Sequence, residues 1–331
     1  MRWIQRVALG LGVMLLAGLI WRLGPLTLMS KLILLGWTWV PLILIEGLGE
    51  ALHVTAWRHC LSPTHQQIPW LRIAMIRQAG MAYNYLTPTA HLGGEVVKGT
   101  LLGSDGEGIE AATGVIVGKL ALVLAQLLFV TVGSTAALWM VTLPAQLWVA
   151  WALSTALFTT GIGAFFLLQR QGRLGSVARA MDRAGARVLR LGAIARWLTL
   201  VDDEIRAFHR DRPGDLLRAI AWHLLGFSCG LVQSWIFFAW MGLPDPWSMG
   251  FAIWFLGAWF DLVGFIVPAG VGVQEGSRVL IFHAAGLTSI AGLTFGFVLR
   301  INKAFWALVG LACHTLLLRE AKRKDLRWGK V

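Results

Sequence analysis

The chain has 331 residues, of which 57% are hydrophobic and only 14% are charged, and its formal net charge is +12. Soluble domains carry about 25% charged residues, so much of this surface must face lipid, which excludes an ordinary soluble enzyme. The basic residues cluster at the ends of apolar runs, where loops meet a membrane, so the charge does not indicate a nucleic-acid-binding protein. The three cysteines are scattered without ligand spacing, and neither a zinc site, a disulfide framework nor a cofactor is expected.

Six apolar runs are long enough, or nearly so, to cross a hydrocarbon core of about 30 Å as helices. The chain has 18 tryptophans, several of which flank these runs, as is typical of the aromatic belts at membrane interfaces. The first run is interpreted as a retained anchor, because no small-residue cleavage site follows it. The predicted spans are about 4–21, 32–56, 111–139, 146–168, 217–241 and 290–318. The sequence therefore predicts an all-α polytopic membrane protein with a single integral domain over 1–331.

The charges of the loops predict the orientation of the chain in a bacterial inner membrane. The connection 169–216 holds ten arginines against six acids, and the tail 319–331 holds six Lys/Arg against two acids. The links 140–146 and 242–247 contain no Lys or Arg. Since cytoplasmic loops are enriched in Lys and Arg, we expect the connection, the tail and both termini in the cytoplasm and the two links outside.

The connection 169–216 has the pattern of a helix. Apolar residues recur every three or four positions along it, and its arginines fall mostly on the other faces. This pattern predicts an amphipathic helix, or a helical pair, lying on the cytoplasmic membrane interface. The alternative is a solvated linker helix that packs on the protein itself.

Two further apolar stretches, 73–102 and 248–289, are broken midway by Pro and Gly, and each limb is short for a complete span. For the loop orientations to agree, the first must enter and leave from the cytoplasm and the second from outside. They are therefore predicted to be two oppositely oriented re-entrant helical hairpins. Non-helical backbone at that depth is tolerated only where protein or a wet cavity covers it, so the hairpins indicate an interior site.

Both hairpins contain the pattern P-x6-E-x2-[KR] with glycines in the middle, which predicts an inverted repeat. Proline ends the first limb and glycine lets the chain turn, so the second limb begins with its positive dipole end toward the midplane. A basic residue follows in each next span at nearly the same separation, Lys119 after Glu95 and Arg300 after Glu275. The predicted turn residues are Pro88, Gly93, Gly94, Pro268, Gly270 and Gly272.

Ionisable side chains inside a membrane cost about 2.5–3.5 kcal/mol each on insertion scales, so they usually pair and line a cavity. Those expected to bind a lipid head group are Glu95, Lys98, Lys119, Glu275, Arg278 and Arg300, with Lys303 as a further intramembrane base. In each hairpin the acid and the base at i, i+3 share a helix face and are expected to pair. The alternative is that these charges only brace the helices.

A second polar stripe lies in the second predicted span, where Glu46, Glu50 and His53 are spaced by four and three residues on one helix face. Glu46 and Glu50 are candidates for proton coupling, as is Asp261, an isolated acid seven residues before Pro268. The stripe could instead be half of a metal site, or simply face the interior of the helix bundle.

Three stretches carry a resemblance to a known family: Asn84-Tyr-Leu-Thr-Pro with Leu92-Gly-Gly-Glu-Val-Val, Pro213 with Leu217-Arg-Ala-Ile-Ala-Trp-His-Leu-Leu-Gly, and Val267-Pro-Ala-Gly-Val-Gly-Val-Gln-Glu-Gly. Over nearly its whole length the chain resembles the flippase-like family that includes the membrane domain of lysylphosphatidylglycerol synthases, and most of all its hopanoid-biosynthesis-associated members. The resemblance implies movement or handling of lipid across the inner membrane, with the hairpins around a central cavity. The soluble aminoacyl-transfer domain of that family's best-known members has no counterpart in this chain, so its activity is not expected here.

The function predicted from the sequence is that of a lipid translocase or transporter. Its expected partners are membrane lipids, namely an anionic phospholipid, an isoprenoid lipid or a hopanoid lipid, and not nucleic acid. Because the chain lacks a G-x4-G-K-[ST] phosphate-binding loop, transport should be passive or driven by an ion gradient. The alternatives are an intramembrane lipid-modifying enzyme that uses the hairpin carboxylates or the Glu46 stripe, and a non-catalytic scaffold for lipid synthesis.

Overall fold

A computed structural model describes residues 2–87, 93–103, 108–141, 145–173, 175–176, 191–263, 267 and 270–328. Every regular element within these ranges is helical, which confirms the all-α prediction for this part of the chain. The α-helices are α1 (Arg2–Leu23), α2 (Pro25–Leu34), α3 (Trp39–Cys60), α4 (Pro63–Gln66), α5 (Trp70–Leu86), α6 (Gly93–Leu102), α7 (Gly108–Leu138), α8 (Ala145–Arg170), α9 (Leu191–Asp211), α10 (Pro213–Trp240), α11 (Ser248–Val263), α12 (Val273–Ala284) and α13 (Ser289–Trp328).

Within the described ranges, five helical segments are long and apolar enough to cross a membrane, so the chain is a multi-pass membrane protein. They are Gly36–Cys60, Gly108–Leu138, Trp148–Arg170, Pro213–Trp240 and Ser289–Ala321. These segments correspond to five of the six predicted spans, with ends that differ by a few residues.

The first predicted span, 4–21, is only part of a bent helix pair. Helices α1 and α2 meet at an angle of 85°. Gly24 adopts a positive φ of 94° at the bend, and Pro25 begins α2. Because proline has no backbone N–H to donate and clashes with the preceding turn, it begins a new helix instead of continuing α1. Residues 22–31 lie between two predicted spans, so this second piece was not predicted as a helix.

Two pairs of short helices occupy the stretches predicted as hairpins. The first pair is α5 with α6, of 17 and 10 residues, and the second is α11 with α12, of 16 and 12 residues. At about 1.5 Å per residue, each helix is shorter than a hydrocarbon core of about 30 Å. Within each pair the two helices pack against each other. The predicted turn residues Pro88 and Pro268 lie outside the described residues, and re-entry from opposite faces stays a prediction.

Glycines permit the close contacts within these pairs. A Cβ on Gly94 would collide with the carbonyl oxygen of Gly80, so α5 and α6 approach backbone to backbone. Gly270 and Gly272 adopt positive φ values of 59° and 78° before α12 begins, a conformation that other residues rarely adopt. The turn glycines predicted from the sequence are thus used for close packing in the first pair and for a left-handed turn in the second.

Helix α9 is the described second half of the long basic connection. Its side chains Val201, Ile205 and Phe208 are buried and pack into the same apolar cluster as Trp57 and Val117 of the spans. These contacts support the linker helix that packs on the protein, because three apolar residues of its stripe are covered by protein. Residues 177–190 of the connection lie outside the described residues, as do residues 142–144 of the first short link.

A charged central cavity as the candidate functional site

A cavity of about 450 Å³ lies among the long helices and both short pairs. Helices α3, α5, α6, α7, α10, α11, α12 and α13 all contribute side chains to its wall. The charged residues of the described wall are Glu46, Glu50, Arg77, Glu95, Lys98, Lys119, Asp261, Arg278 and Lys303. Five of them are bases and four are acids, so one positive charge is left in excess.

Glu95 of α6 is surrounded by hydrogen-bond donors and cations. It forms ion pairs with Lys98 on the same helix and with Lys119 of α7, whose Nζ lies 3.4 Å from Oε1. Asn84 of α5 donates from Nδ2 to the same Oε1 at 3.3 Å, while its Oδ1 accepts from the N–H of Gly94 at 2.8 Å. The base at i, i+3 and the base on the following span therefore meet at one carboxylate, as the sequence pattern suggested.

The polar stripe of α3 faces the same cavity. Glu50 forms an ion pair with Arg77 of α5, and Glu46 accepts a hydrogen bond from Nε2 of Gln233 at 3.0 Å. Arg77 and Gln233 were not predicted as site residues, because they come from other helices and no spacing links them to the stripe. Among the described residues no group of three or more His, Cys, Asp or Glu could hold a metal ion.

In the second pair the charges do not follow the predicted i, i+3 pairing. Arg278 of α12 donates to both carboxylate oxygens of Asp261 on α11, at 2.7 and 2.8 Å, and to the carbonyl oxygen of Gly257 at 3.1 Å. Glu275 accepts instead from the N–H of Gly272 at 3.0 Å and pairs with Arg300 of α13. As the third residue of α12, Glu275 folds back onto the start of its own helix, so its carboxylate points away from Arg278.

Glu275 is completely buried, at 0% exposure, and neither it nor Arg300 is among the residues that line the cavity. Arg300 also donates to the carbonyl oxygen of Gly270 at 3.3 Å, which ties α13 to the turn before α12. These contacts hold α12, α13 and the turn before α12 together. The role of Glu275 and Arg300 in binding a head group stays a prediction. The other four residues predicted to bind a head group line the cavity, namely Glu95, Lys98, Lys119 and Arg278.

Two histidines from different helices meet in the cavity wall. The Nδ1 atoms of His53 on α3 and His223 on α10 are 2.8 Å apart, and both residues are buried, at 8% and 2% exposure. The ring of Phe227 packs edge-on against His53. His53 belongs to the predicted stripe, but His223 was not predicted as a site residue, because it lies 170 residues away in the sequence.

A model of the lysylphosphatidylglycerol synthase transmembrane region matches residues 3–311, nearly the whole chain. The chain belongs to this family. Membership in the lysylphosphatidylglycerol synthase transmembrane family indicates a membrane protein involved in lipid handling. Comparisons of the chain with curated proteins and with solved structures gave no significant match.

This member of the lysylphosphatidylglycerol synthase transmembrane family also contains a G-x-S-x-G match, Gly226 to Gly230, which bears on the alternative of an intramembrane lipid-modifying enzyme. In a hydrolase that motif forms a sharp strand-to-helix turn that exposes the serine. Here it lies within the continuous helix α10, and Ser228 donates to the carbonyl oxygen of Leu224 at 2.9 Å. Ser228 is not among the cavity-lining residues, so the geometry is not that of an activated nucleophile.

Proposed function

We propose that this chain is a lipid translocase or transporter of the bacterial inner membrane. The head group of an anionic lipid enters the central cavity while its acyl tails stay in the bilayer. The observation that carries this proposal is the wall of the 450 Å³ cavity, where five bases stand against four acids among helices of membrane-spanning length. Charges interact strongly in such a poorly solvated site, so the excess positive charge favours a phosphate group.

Lys119 is the base that we assign to first contact with the phosphate. Its side chain is 30% exposed, against 9% for Lys98, and both pair with the single carboxylate of Glu95. One acid that holds two bases leaves a net positive charge at this point of the wall. A further base of the cavity wall is Lys303 of α13. It is close enough to Glu46 for their charges to interact.

The two short helix pairs enter this proposal as re-entrant hairpins of opposite orientation, with both chain termini in the cytoplasm. A parallel between the halves supports the inverted repeat. The glutamate near the start of each second limb pairs with a base on the span that follows, Glu95 with Lys119 and Glu275 with Arg300. Hairpins of opposite direction would let head groups reach the cavity from either leaflet.

The cargo proposed first is an anionic phospholipid such as phosphatidylglycerol. The resemblance to hopanoid-associated relatives adds hopanoid and isoprenoid lipids as further cargoes. A vesicle assay tests the proposal: the purified protein is reconstituted with phosphatidylglycerol or phosphatidylcholine carrying a fluorescent acyl chain, and both the leaflet and the mass of each lipid are followed.

We expect labelled phosphatidylglycerol to change leaflet faster than in protein-free vesicles, with its mass unchanged and with phosphatidylcholine moving more slowly. Lys119→Ala should slow the movement severalfold. Arg218→Ala, which removes an exposed base outside the cavity wall, should not. A changed lipid mass would indicate an enzyme instead, and unchanged mass without movement would indicate a scaffold.

A further inference from the structure

The histidine pair in the cavity wall is a protonatable group whose chemistry differs from that of the ion pairs around it. At an Nδ1 to Nδ1 distance of 2.8 Å, one ring must donate and the other must accept. With both rings neutral, the accepting ring carries its own proton on Nε2. If both Nδ1 atoms carried protons they would repel each other, so the intact hydrogen bond can hold at most one extra proton.

The surroundings of His223 determine when that proton can be held. Its Nε2 is buried and has no hydrogen-bond partner in the described part of the chain. A buried N–H without an acceptor costs about 1–3 kcal/mol. The resting pair therefore keeps Nε2 of His223 unprotonated, with the Nδ1–H of His223 donating to His53. An extra proton would place a donor on that nitrogen, which is favourable only once an acceptor reaches it.

The acids of the described cavity wall already have polar partners. The charged groups that line the same cavity are Glu46 and Glu50 on α3, Arg77 on α5, Glu95 and Lys98 on α6, Lys119 on α7, Asp261 on α11, Arg278 on α12 and Lys303 on α13. Glu50 is paired with Arg77 and Asp261 with Arg278, while Glu46, the third predicted proton carrier, accepts a hydrogen bond from Gln233. The histidine pair, in contrast, has no ionic partner among the described residues, and an imidazole can add a proton at its unprotonated ring nitrogen.

We infer that His53 and His223 form a single proton-binding site, which takes up one proton when a phosphate group enters the cavity. A phosphate oxygen supplies the acceptor that Nε2 of His223 lacks, and the added positive charge in turn attracts the anion. Binding of proton and anion is then reciprocal, each increasing the affinity for the other. This inference rests on the proposed function, and it names the proton as the ion that accompanies the lipid.

The balance of the step is simple. The proton comes from water on the side to which the cavity is open, and it binds to the pair without breaking the Nδ1 to Nδ1 hydrogen bond. When the anion leaves, Nε2 of His223 loses its acceptor and the proton is released. Movement of one anion with one proton transfers no net charge, so a pH gradient and not the membrane potential would drive it.

Proton uptake by the detergent-solubilised protein tests the inference without any transport step. A short-chain phosphatidylglycerol, or inorganic phosphate in a parallel arm, is added in weak buffer with a pH indicator, and bound phosphatidylglycerol is quantified separately. We expect about one proton taken up per bound lipid and an affinity that falls up to about tenfold per pH unit once the pair is deprotonated. Uptake with phosphate as well would mean that the phosphate group suffices, and uptake with the lipid alone would mean that the whole lipid is needed.

His53→Gln and His223→Gln should each abolish the uptake and flatten the pH dependence, since glutamine keeps a hydrogen bond but cannot hold the proton. His283→Gln, at an exposed position outside the cavity wall, should behave as the wild type. Lipid binding without proton uptake by the wild-type protein, or unchanged uptake in both variants, would overturn the inference and leave the proposed function standing. Absence of lipid binding to the wild-type protein would overturn both. The wild-type measurements decide the question even if a variant fails to fold.

Discussion

Arg278 donates two parallel hydrogen bonds to Asp261, from Nη1 to Oδ1 at 2.7 Å and from Nη2 to Oδ2 at 2.8 Å. The pair joins α12 to α11 and thereby closes the second pair of short helices. The side chain of Arg278 is almost completely buried, and a buried charge needs a partner of opposite sign. Asp261, which lies 17 residues earlier in the sequence, supplies that charge. This contact fixes the wall of the cavity on one side.

The first prediction concerns the two parallel hydrogen bonds between Arg278 and Asp261. Arg278→Lys keeps the charge but cannot form two parallel hydrogen bonds, and Arg278→Ala leaves Asp261 without its cation. We expect Arg278→Ala to lower the free energy of unfolding by about 3–5 kcal/mol and Arg278→Lys by less. The midpoint of thermal unfolding in detergent measures both. Arg218→Lys is the control, because Arg218 pairs with Asp215 at an exposed position. Equal midpoints for Arg278→Ala and the wild type would show that the pair does not stabilise the fold.

The second prediction separates the two hairpin glutamates. Glu275 is completely buried and pairs with Arg300, so Glu275→Gln should deprive this half-buried cation of its carboxylate and lower the unfolding midpoint. Removing both charges, in Glu275→Gln with Arg300→Gln, should restore part of the loss, because an uncompensated buried charge costs more than a neutral pair. Glu95→Gln should instead change lipid binding more than stability, since Glu95 lines the cavity. A stable Glu275→Gln variant that no longer binds phosphatidylglycerol would place Glu275 in the binding site.

A third prediction uses two glycines of the same short helix. In α6, a Cβ on Gly94 would collide with backbone of α5, whereas a Cβ on Gly99 would meet no atom within 4 Å. Gly94→Ala should therefore force α5 and α6 apart and destabilise the protein by about 1–3 kcal/mol. Gly99→Ala should be neutral or stabilise by up to about 1 kcal/mol, because alanine favours the helix. The reverse order of the two unfolding midpoints would rule out the close packing of these helices.

A fourth prediction tests the orientation on which the opposite hairpins depend. In a variant whose native cysteines are replaced, Asp245→Cys should react with a membrane-impermeant maleimide added outside the cytoplasmic membrane, and Lys324→Cys should react only after lysis. Asp245 lies in a link without Lys or Arg, and Lys324 lies in the basic tail. If only the tail cysteine reacted in intact cells, the chain would have the opposite orientation.

The hydropathy of the sequence and the spacing of charged residues within single helices were sufficient to predict much of this architecture. Hydropathy indicated the five long spans, and the i, i+3 spacing indicated the Glu95–Lys98 pair, because both signals lie within one helix. The same rule gave the wrong partner for Arg278, since α11 offers Asp261 with better geometry than Glu275 on its own helix. The Glu50–Arg77 pair also joins two helices, and its partner could not be found without the packing of α3 on α5.

The histidine pair shows the same limit. His53 was visible as part of a stripe with Glu46 and Glu50, but its partner His223 stands in an apolar stretch of α10 without a polar neighbour at helical spacing. Helix α2 was missed for a different reason. Hydropathy averages over a window as long as a membrane span, and this helix of 10 residues is too short to be recognised in that way.

The central claim, that an anionic head group occupies the charged cavity, is tested most directly by photo-crosslinking. A phosphatidylglycerol analogue with a photoactivatable group on its head is incorporated into vesicles with the protein, and the labelled peptides are identified by mass spectrometry. We expect adducts on the wall around Lys98 and Lys119, and fewer of them when unlabelled phosphatidylglycerol competes or when Lys119 is replaced by alanine. The most apolar 18 residues of the span Trp148–Arg170 have no residue buried inside the protein. This span therefore serves as the reference for contact with bulk lipid. Adducts confined to that span and to other outward-facing surfaces, with none on the cavity wall, would contradict the account.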